Sequence, residues 1–390
     1  MIYMRTIRLI ALLSVFTIGA CAFAQHDPLE AEKDADLQLA LETAFASSAG
    51  LDAPGHIIRV MKAGDVLFDA QTGAADIEQA RPITPETVFH IASLSKQITA
   101  AALAHAIEDG LVSLQDPVQK WVPETEKYGD ALTVAHLVYM TSGLTEYTNL
   151  PGPDGRPWAT FHYFTVADAI DASLSVETLA FPPGTSWQYS NINYMLLTRI
   201  VEQAYGMPFG EVVQDKVFAP LGMSASLIND DITTIVPNRA NAYLPRQEAV
   251  LAELQNGAGV AARPGDGLVM IRRNAPHYGG SGVMTSMADW SKWQAELLSH
   301  SVFGDAFWAL MTRRETFAHE KTNDAFGLVH GRRADQPTLW YSGGDIDAST
   351  YAITFPSTHI SISCFSNNPL DGCEPKVFQV VEILEEHGVL

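Results

Sequence analysis

The chain has 390 residues, 45 of them acidic and 24 basic, for a formal charge of −21 at pH 7. That balance argues against nucleic-acid binding, which needs a basic footprint, and acidity spread along the chain reads as a solvated surface. With 47% hydrophobic and 18% charged residues the sequence is that of a folded protein, long enough for two lobes or one large domain.

Residues 1–24 read as a targeting segment. Arg5 and Arg8 make a basic start, and Leu9 to Ile18 is an apolar run too short to span a bilayer. Ala22-Phe23-Ala24 before Gln25 then has the small-x-small form of a signal-peptidase site. Ile18-Gly19-Ala20-Cys21 is a rival, similar to a bacterial lipoprotein box, and cleavage there would leave Cys21 lipidated. Cleavage after Ala24 is the preferred reading. Either site predicts an exported chain, periplasmic or secreted, with no transmembrane helix in its mature form. An exported address permits Cys364 and Cys373 to pair across the turn-rich loop that separates them, as a structural disulfide.

An amphipathic helix is expected over residues 32–49, with Leu37, Leu41, Ala44 and Phe45 near one face. Gly55 to Met61 and Val66 to Ala70 form a hairpin pattern in which Gly64 supplies the turn. From Ser93 to Asp109 an alanine-rich stretch free of glycine and proline predicts a buried helix, closed by Gly110. Further helices are expected over Thr133 to Met140, Thr165 to Leu174, Asn193 to Tyr205, Met287 to Leu298 and Pro375 to Glu386. Residues 224–275 read as loop-rich. Strands are expected at Gly327 to Gly331, Thr338 to Ser342, Ser349 to Phe355 and His359 to Phe365. Strands at both ends around a helical middle predict an α+β fold, in which one antiparallel sheet is built from the two termini and flanked by helices. The α/β lobe would take residues 25–105 and 276–390, and a mostly helical lobe residues 106–275.

Two polar groups interrupt the buried helix near its start. Residues three apart share a helix face, so the Lys96 amine can reach the Ser93 hydroxyl. A lysine in an apolar interior is costly as a cation, and a neutral amine beside a hydroxyl is a base beside a nucleophile. Helix N-terminal amides offer hydrogen bonds to an oxyanion formed there. Ser-x-x-Lys alone is weak, because a chain of this length holds on the order of one by chance.

Other blocks give it weight. Phe89-His90-Ile91-Ala92-Ser93-Leu94-Ser95-Lys96-Gln97 is followed in order by His136-Leu137-Val138-Tyr139-Met140-Thr141-Ser142-Gly143-Leu144, by Pro183-Gly184-Thr185-Ser186-Trp187-Gln188-Tyr189-Ser190-Asn191 and by Gly280-Ser281-Gly282-Val283-Met284-Thr285-Ser286. Together they resemble the serine β-lactamase and penicillin-binding-protein superfamily, most closely its class C-like branch of esterases, D-aminopeptidases and D,D-carboxypeptidases. The resemblance covers residues 36–390 and implies a β-lactamase-like fold over 25–390.

It further implies that Ser93 is the nucleophile, that Lys96 and Tyr189 move its proton, and that Asn191 bonds Lys96 and a substrate carbonyl. Tyr147-Thr148-Asn149 fits the same three-letter pattern, but Tyr189 follows Pro183-Gly184 and precedes the Asn193–Tyr205 helix as the family's tyrosine does. The family's third block, a cation followed by Thr/Ser-Gly on a strand, corresponds to Tyr341-Ser342-Gly343-Gly344, so the cation is missing. The resemblance assigns the oxyanion hole to the Ser93 and Gly344 amides. Tyr341 in place of a cation weakens recognition of a substrate carboxylate and favours an esterase or peptidase over a dedicated β-lactamase. A penicillin-binding or sensor module that acylates without turnover is the other reading. The expected partner is a small acyl substrate, an ester, amide or β-lactam.

Several alternatives lack their residues. No Gly-x-Ser-x-Gly and no Glu-x-x-Leu-Asn occurs, and His319-Glu320 has no second histidine of a zinc-protease helix. No Cys/His cluster has metal-ligand spacing, so neither metal nor organic cofactor is expected. His90, beside the Ser93 helix, is read as structural.

Overall fold

The computed structural model describes residues 28–390 except 47–48, 154, 156–157, 159–162, 248–264, 274 and 319–321, with side chains from residue 35. The targeting segment with its two cleavage sites, and His319-Glu320, lie outside the described residues.

In chain order, helix α1 (Pro28–Ala44) leads into the hairpin β1 (His56–Lys62) and β2 (Asp65–Thr72), followed by the short strands β3 (Ala74–Asp76), β4 (Arg81–Pro82) and β5 (Val88–His90). A 3₁₀ turn at Ala92–Leu94 opens α2 (Ser95–Glu108). The middle of the chain holds α3 (Val134–Val138), α4 (Val166–Leu174), α5 (Asn191–Tyr205) and α6 (Phe209–Val213). Then come β6 (Leu227–Ile228), β7 (Ala242–Pro245), β8 (Leu268–Ile271), β9 (Val283–Ser286), α7 (Met287–Ser299) and α8 (Gly304–Met311). Four strands, β10 (Val329–Arg333), β11 (Gln336–Asp345), β12 (Ala348–Phe355) and β13 (Ile360–Ser366), precede the last helix, α9 (Cys373–Glu386).

The fold is α+β, as expected. A six-stranded sheet runs in the order β10-β11-β12-β13-β1-β2, antiparallel throughout, so the first and last strands of the chain meet where β1 pairs β13. Alternation along β1 shows why both faces are covered. Ile58 and Val60 point to one side, where α1 and α9 pack Leu37, Leu41, Val377 and Leu384 against them. Arg59 points to the other, donating to both carboxylate oxygens of Asp69 at 3.0 and 2.6 Å and to Ser291 of α7 at 3.1 Å. With helices on both sides, β13 is buried at every residue. Cys364 of β13 and Cys373 of α9 are disulfide-bonded, with Cα atoms 5.5 Å apart.

The described differences from expectation are local. The first helix begins at Pro28 and ends at Ala44 rather than covering 32–49. The segment expected to be helical over Thr133 to Met140 is helical only over Val134–Val138, because Met140 turns to a left-handed φ of 57°. The described residues of 224–275 include three short strands, two of which, β7 and β8, pair with each other. α5 begins two residues before its expected start and ends at Gly206, whose φ of 65° suits a residue without Cβ.

Helix α2 is buried along nearly its whole length. Its polar residues are answered by β9 and the loop before it: Thr99 donates to the Gly279 carbonyl at 2.8 Å, and Ser95 Oγ accepts from Val283 N at 3.0 Å. The loop and the start of α2 are thereby fixed relative to each other.

Candidate active site

Ser93 is carried by the 3₁₀ turn rather than by the α-helix itself. Positions three apart eclipse on such a turn, and Lys96 Nζ lies 3.2 Å from Ser93 Oγ. Ala92, immediately before, has φ of 46°. A residue with a Cβ is strained there by about 1–3 kcal/mol, and the surroundings must hold it. They do: Ile91 N donates to Val283 O at 3.1 Å, and Thr350 Oγ1 donates to Ile91 O at 2.9 Å.

Tyr189 enters from the loop before α5. Its Oη is 2.7 Å from Ser93 Oγ and accepts from Lys96 Nζ at 2.6 Å. Lys96 is 0% exposed, whereas Tyr189 is 39% exposed, so the cluster runs from a closed interior to an open mouth. Nζ also donates to Asn191 Oδ1 at 2.9 Å and to the Gly280 carbonyl at 2.5 Å. Those two oxygens only accept, so each takes a hydrogen and the remaining direction of Nζ addresses the two hydroxyls. A single proton can then be shared among Nζ, Tyr189 Oη and Ser93 Oγ without breaking the frame.

The other Tyr-x-Asn does something else. Tyr147 is 3% exposed and its Oη lies 3.0 Å from His277 Nε2, away from Ser93 and Lys96; burial pushes its phenol well up. Next to it, Glu146 had no role in the sequence reading. Its carboxylate accepts from Asn191 N at 2.7 Å, Ser190 Oγ at 2.8 Å, Ile192 N at 3.3 Å and Asn191 Nδ2 at 3.3 Å. It therefore caps α5 and turns the Asn191 amide so that Oδ1 faces Lys96. The only sequence signal was an acid adjoining the second Tyr-x-Asn.

Strand β11 closes the opposite side. Gly343 packs beneath Ser93: a Cβ there would stand 2.7 Å from Ile91 O and 3.0 Å from Ser93 N. Gly344 faces open space and, with Ser342 and Tyr341, lines the cleft. β10 pairs only with residues 336–340 of β11. Among the described residues, 341–345 thus have no strand partner on that edge. Tyr341 is buried, and burial pushes its phenol far up, with Tyr189 adding to the rise.

The cleft holds about 310 Å³ and is lined by Ser93, Tyr189, Tyr341, Ser342 and Gly344 together with Trp187, Trp340, Val329 and Asp324. Asp324 is its one carboxylate among the described residues. Burial pushes that carboxyl up to about 6, against the opposing effect of a hydrogen bond with Trp187. Neither Asp324 nor the two tryptophans were singled out from sequence; they become neighbours only through the fold.

His90 sits outside the cleft. Its ring bonds Asp347 Oδ1 at 2.8 Å and Ser281 Oγ at 2.7 Å, an arrangement with the outline of a catalytic triad. Ser281 is buried, and the trio instead ties the sheet to the loop that presents the Gly280 carbonyl to Lys96. Burial pushes the Asp347 carboxyl up, but the charges of His90, Arg273 and Arg239 outweigh it and hold it well below the usual range. His90, Asp345 and Asp347 place ligand atoms within 4.8 Å of one another. Arg273 pairs with Asp345 there, and its backbone N–H donates to Asp347 at 3.4 Å, so a guanidinium supplies positive charge to the cluster.

A terminal-strand sheet flanked by helices, with serine, lysine and tyrosine converging at the start of a buried helix, defines the β-lactamase and penicillin-binding-protein class. The sequence profile of the Beta-lactamase family matches residues 42–376, and the chain belongs to that family. It is 29% identical over 205 residues to penicillin-binding protein 4* of Bacillus subtilis (strain 168), covering 52% of this chain and 44% of that one. To a D-aminopeptidase of Gluconobacter oxydans (strain 621H) it is 31% identical, over 48% of this chain and 35% of the relative. To esterase EstB of Burkholderia gladioli it is 33% identical, over 43% and 45%. The matches thus span less than half the length of these relatives. Among solved structures, the D-amino acid amidase from Ochrobactrum anthropi SV3 complexed with L-phenylalanine amide superposes with a TM-score of 0.73 at 20% identity, covering 91% of this chain and 99% of that one. Among the described residues no helix is long and apolar enough to cross a membrane.

Proposed function

We propose that the chain is an exported serine hydrolase that works through an acyl-enzyme on esters or on D-amino-acid amides and peptides, in preference to β-lactams. The observation that carries this reading is the convergence of Tyr189 Oη and Lys96 Nζ on Ser93 Oγ, at 2.7 and 3.2 Å. In the first half-reaction Ser93 Oγ bonds the substrate carbonyl carbon while its proton passes to the Lys96–Tyr189 pair. The Ser93 and Gly344 amides hold the oxyanion. The leaving group departs with the proton returned through Tyr189. Water, giving a proton to the same pair, then attacks the ester carbon and frees the acid and the serine.

The substrate preference follows from Tyr341, a neutral side chain where the resemblance expects a cation for a substrate carboxylate. A cleft walled by Trp187, Trp340 and Tyr341 suits an apolar or aromatic group instead. The test is a panel of p-nitrophenyl butyrate, nitrocefin and D-alanine p-nitroanilide, run with the unaltered protein and with Ser93→Ala. Turnover of the ester or anilide, lost in Ser93→Ala, is expected. Nitrocefin as the best substrate would refute the preference. A long-lived Ser93 adduct with penicillin, seen by mass spectrometry without turnover of any substrate, would instead identify a non-turnover binding module.

A further inference from the structure

We propose that the Asp324 carboxylate is the cation-recognition group of the cleft, and that the acyl substrate carries an ammonium, as an amino-acid ester or amide with a free amine does. That the ligand is an acyl compound rests on the hydrolase reading; that it is cationic rests on the cleft itself.

Asp324 lines the same cavity as Ser93, so whatever seats its carbonyl at the serine lies within one small chamber of the carboxylate. Among the described lining residues Asp324 alone carries a formal charge, since Lys96 is closed off behind Ser93 and Tyr189. No described basic side chain pairs with it. Burial penalises its anion, and Trp187 offsets that only in part. A half-buried carboxylate without a counter-ion costs stability unless a ligand supplies one. The lining is also aromatic, with Trp187, Trp340, Tyr189 and Tyr341, and aromatic rings favour an ammonium over a carboxylate. The tyrosine at position 341, which removes the means of holding an anion, points the same way.

Isothermal titration separates this inference from the hydrolase reading, because it needs no chemistry. D-Alaninamide and its uncharged counterpart N-acetyl-D-alaninamide are titrated at pH 7 into Ser93→Ala, Ser93→Ala/Asp324→Asn and Ser93→Ala/Asp324→Glu, each checked for folding by circular dichroism. A charge-assisted contact predicts that the free amine binds Ser93→Ala about tenfold more tightly than the acetylated amide. The preference should fall to about twofold or less in the double variant carrying Asp324→Asn and persist in the one carrying Asp324→Glu. Equal affinities in Ser93→Ala, no binding of the free amine at millimolar concentration, or a preference that survives Asp324→Asn would overturn the proposal. Turnover of p-nitrophenyl butyrate by the unaltered protein reports on the hydrolase reading alone, so one can fail while the other stands.

Discussion

Replacing Glu146 by glutamine isolates what holds Asn191 in place, because it keeps the side chain's shape and changes only one oxygen. The carboxylate receives four donors, from Asn191 N, Ser190 Oγ, Ile192 N and Asn191 Nδ2, at 2.7 to 3.3 Å. Three of them converge on a single oxygen, Oε2. A glutamine can offer one oxygen to that trio, but its amide nitrogen then faces the Asn191 Nδ2 donor, and the helix cap loses its charge. Losing a charge-assisted bond and leaving a buried donor unmet each cost about 1–3 kcal/mol, so a destabilisation of about 2–4 kcal/mol is expected. For a chain of this size that corresponds to a Tm lower by roughly 3–5 °C. Activity responds separately. With Nδ2 released, the Asn191 amide can rotate and present a donor to Lys96 Nζ where an acceptor stood at 2.9 Å. Forfeiting that contact, worth about 1.5–3 kcal/mol, lowers kcat on p-nitrophenyl butyrate by roughly 10- to 100-fold at 1.4 kcal/mol per decade. The measurements are a thermal melt and a kcat at a temperature where both proteins are folded. A glutamine variant with unchanged Tm and kcat would show that Glu146 does not govern Asn191.

Tyr189→Phe removes the oxygen that touches both Ser93 and Lys96, and kcat is expected to fall by about 10²–10⁴ with KM little changed; a loss smaller than threefold would place the proton relay elsewhere. Gly343→Ala drives a methyl to 2.3 Å from Thr350 Oγ1 and 2.7 Å from Ile91 O, so Ser93 or strand β11 must shift. Overpacking of this kind costs about 1–3 kcal/mol, and loss of both Tm and acylation by penicillin or ester is the expected result. The Asp324 carboxyl, pushed up to about 6 by burial, binds its proton more tightly folded than unfolded, so its contribution to stability is fully present below about pH 4 and is lost as pH rises through about 6. Tyr194 and Tyr341, the titratable groups that feel its charge, are both pushed upward by burial and stay neutral over that range. Asp324→Asn should therefore raise stability by up to about 3 kcal/mol at pH 8 and by almost nothing at pH 4, and melts that shift equally at the two pH values would contradict the cause.

The meeting of Ser93, Lys96 and Tyr189 was legible from their spacing and their neighbours. Lys96 follows Ser93 by three residues, and Tyr189 lies between a Pro-Gly turn and a helix. The sheet was legible for a similar reason: β12 and β13 read as apolar runs, and an antiparallel sheet shared by the two termini needed no more than strands at both ends. The backbone at Ser93 was less readable. Nothing in Ile91-Ala92-Ser93 announces that Ala92 takes a left-handed φ, because that conformation is imposed by Val283 and Thr350 from elsewhere in the chain. Gly280 was visible as part of a glycine-dense turn, but its role is played by a carbonyl, and backbone atoms carry no residue code. Glu146 and Asp324 approach the site from segments outside the quoted blocks, and Trp187 and Trp340, though close in sequence to Tyr189 and Tyr341, meet only through the fold.

The two carboxylates near the site show how partner counts tell a structural acid from one kept for a ligand. Glu146 has four donors on two oxygens, all from the segment it holds, so adding a ligand there would mean displacing bonds already made. Asp324 has the opposite balance. It lines the cleft, and burial opposes its charge more than Trp187 and the backbone offset it. Selection for stability alone would remove such a group, since an asparagine could keep the bond from Trp187 without the buried charge. An acid that weakens the empty protein, in the cleft that Ser93 also lines, is one whose stabilising partner would arrive with a cationic ligand.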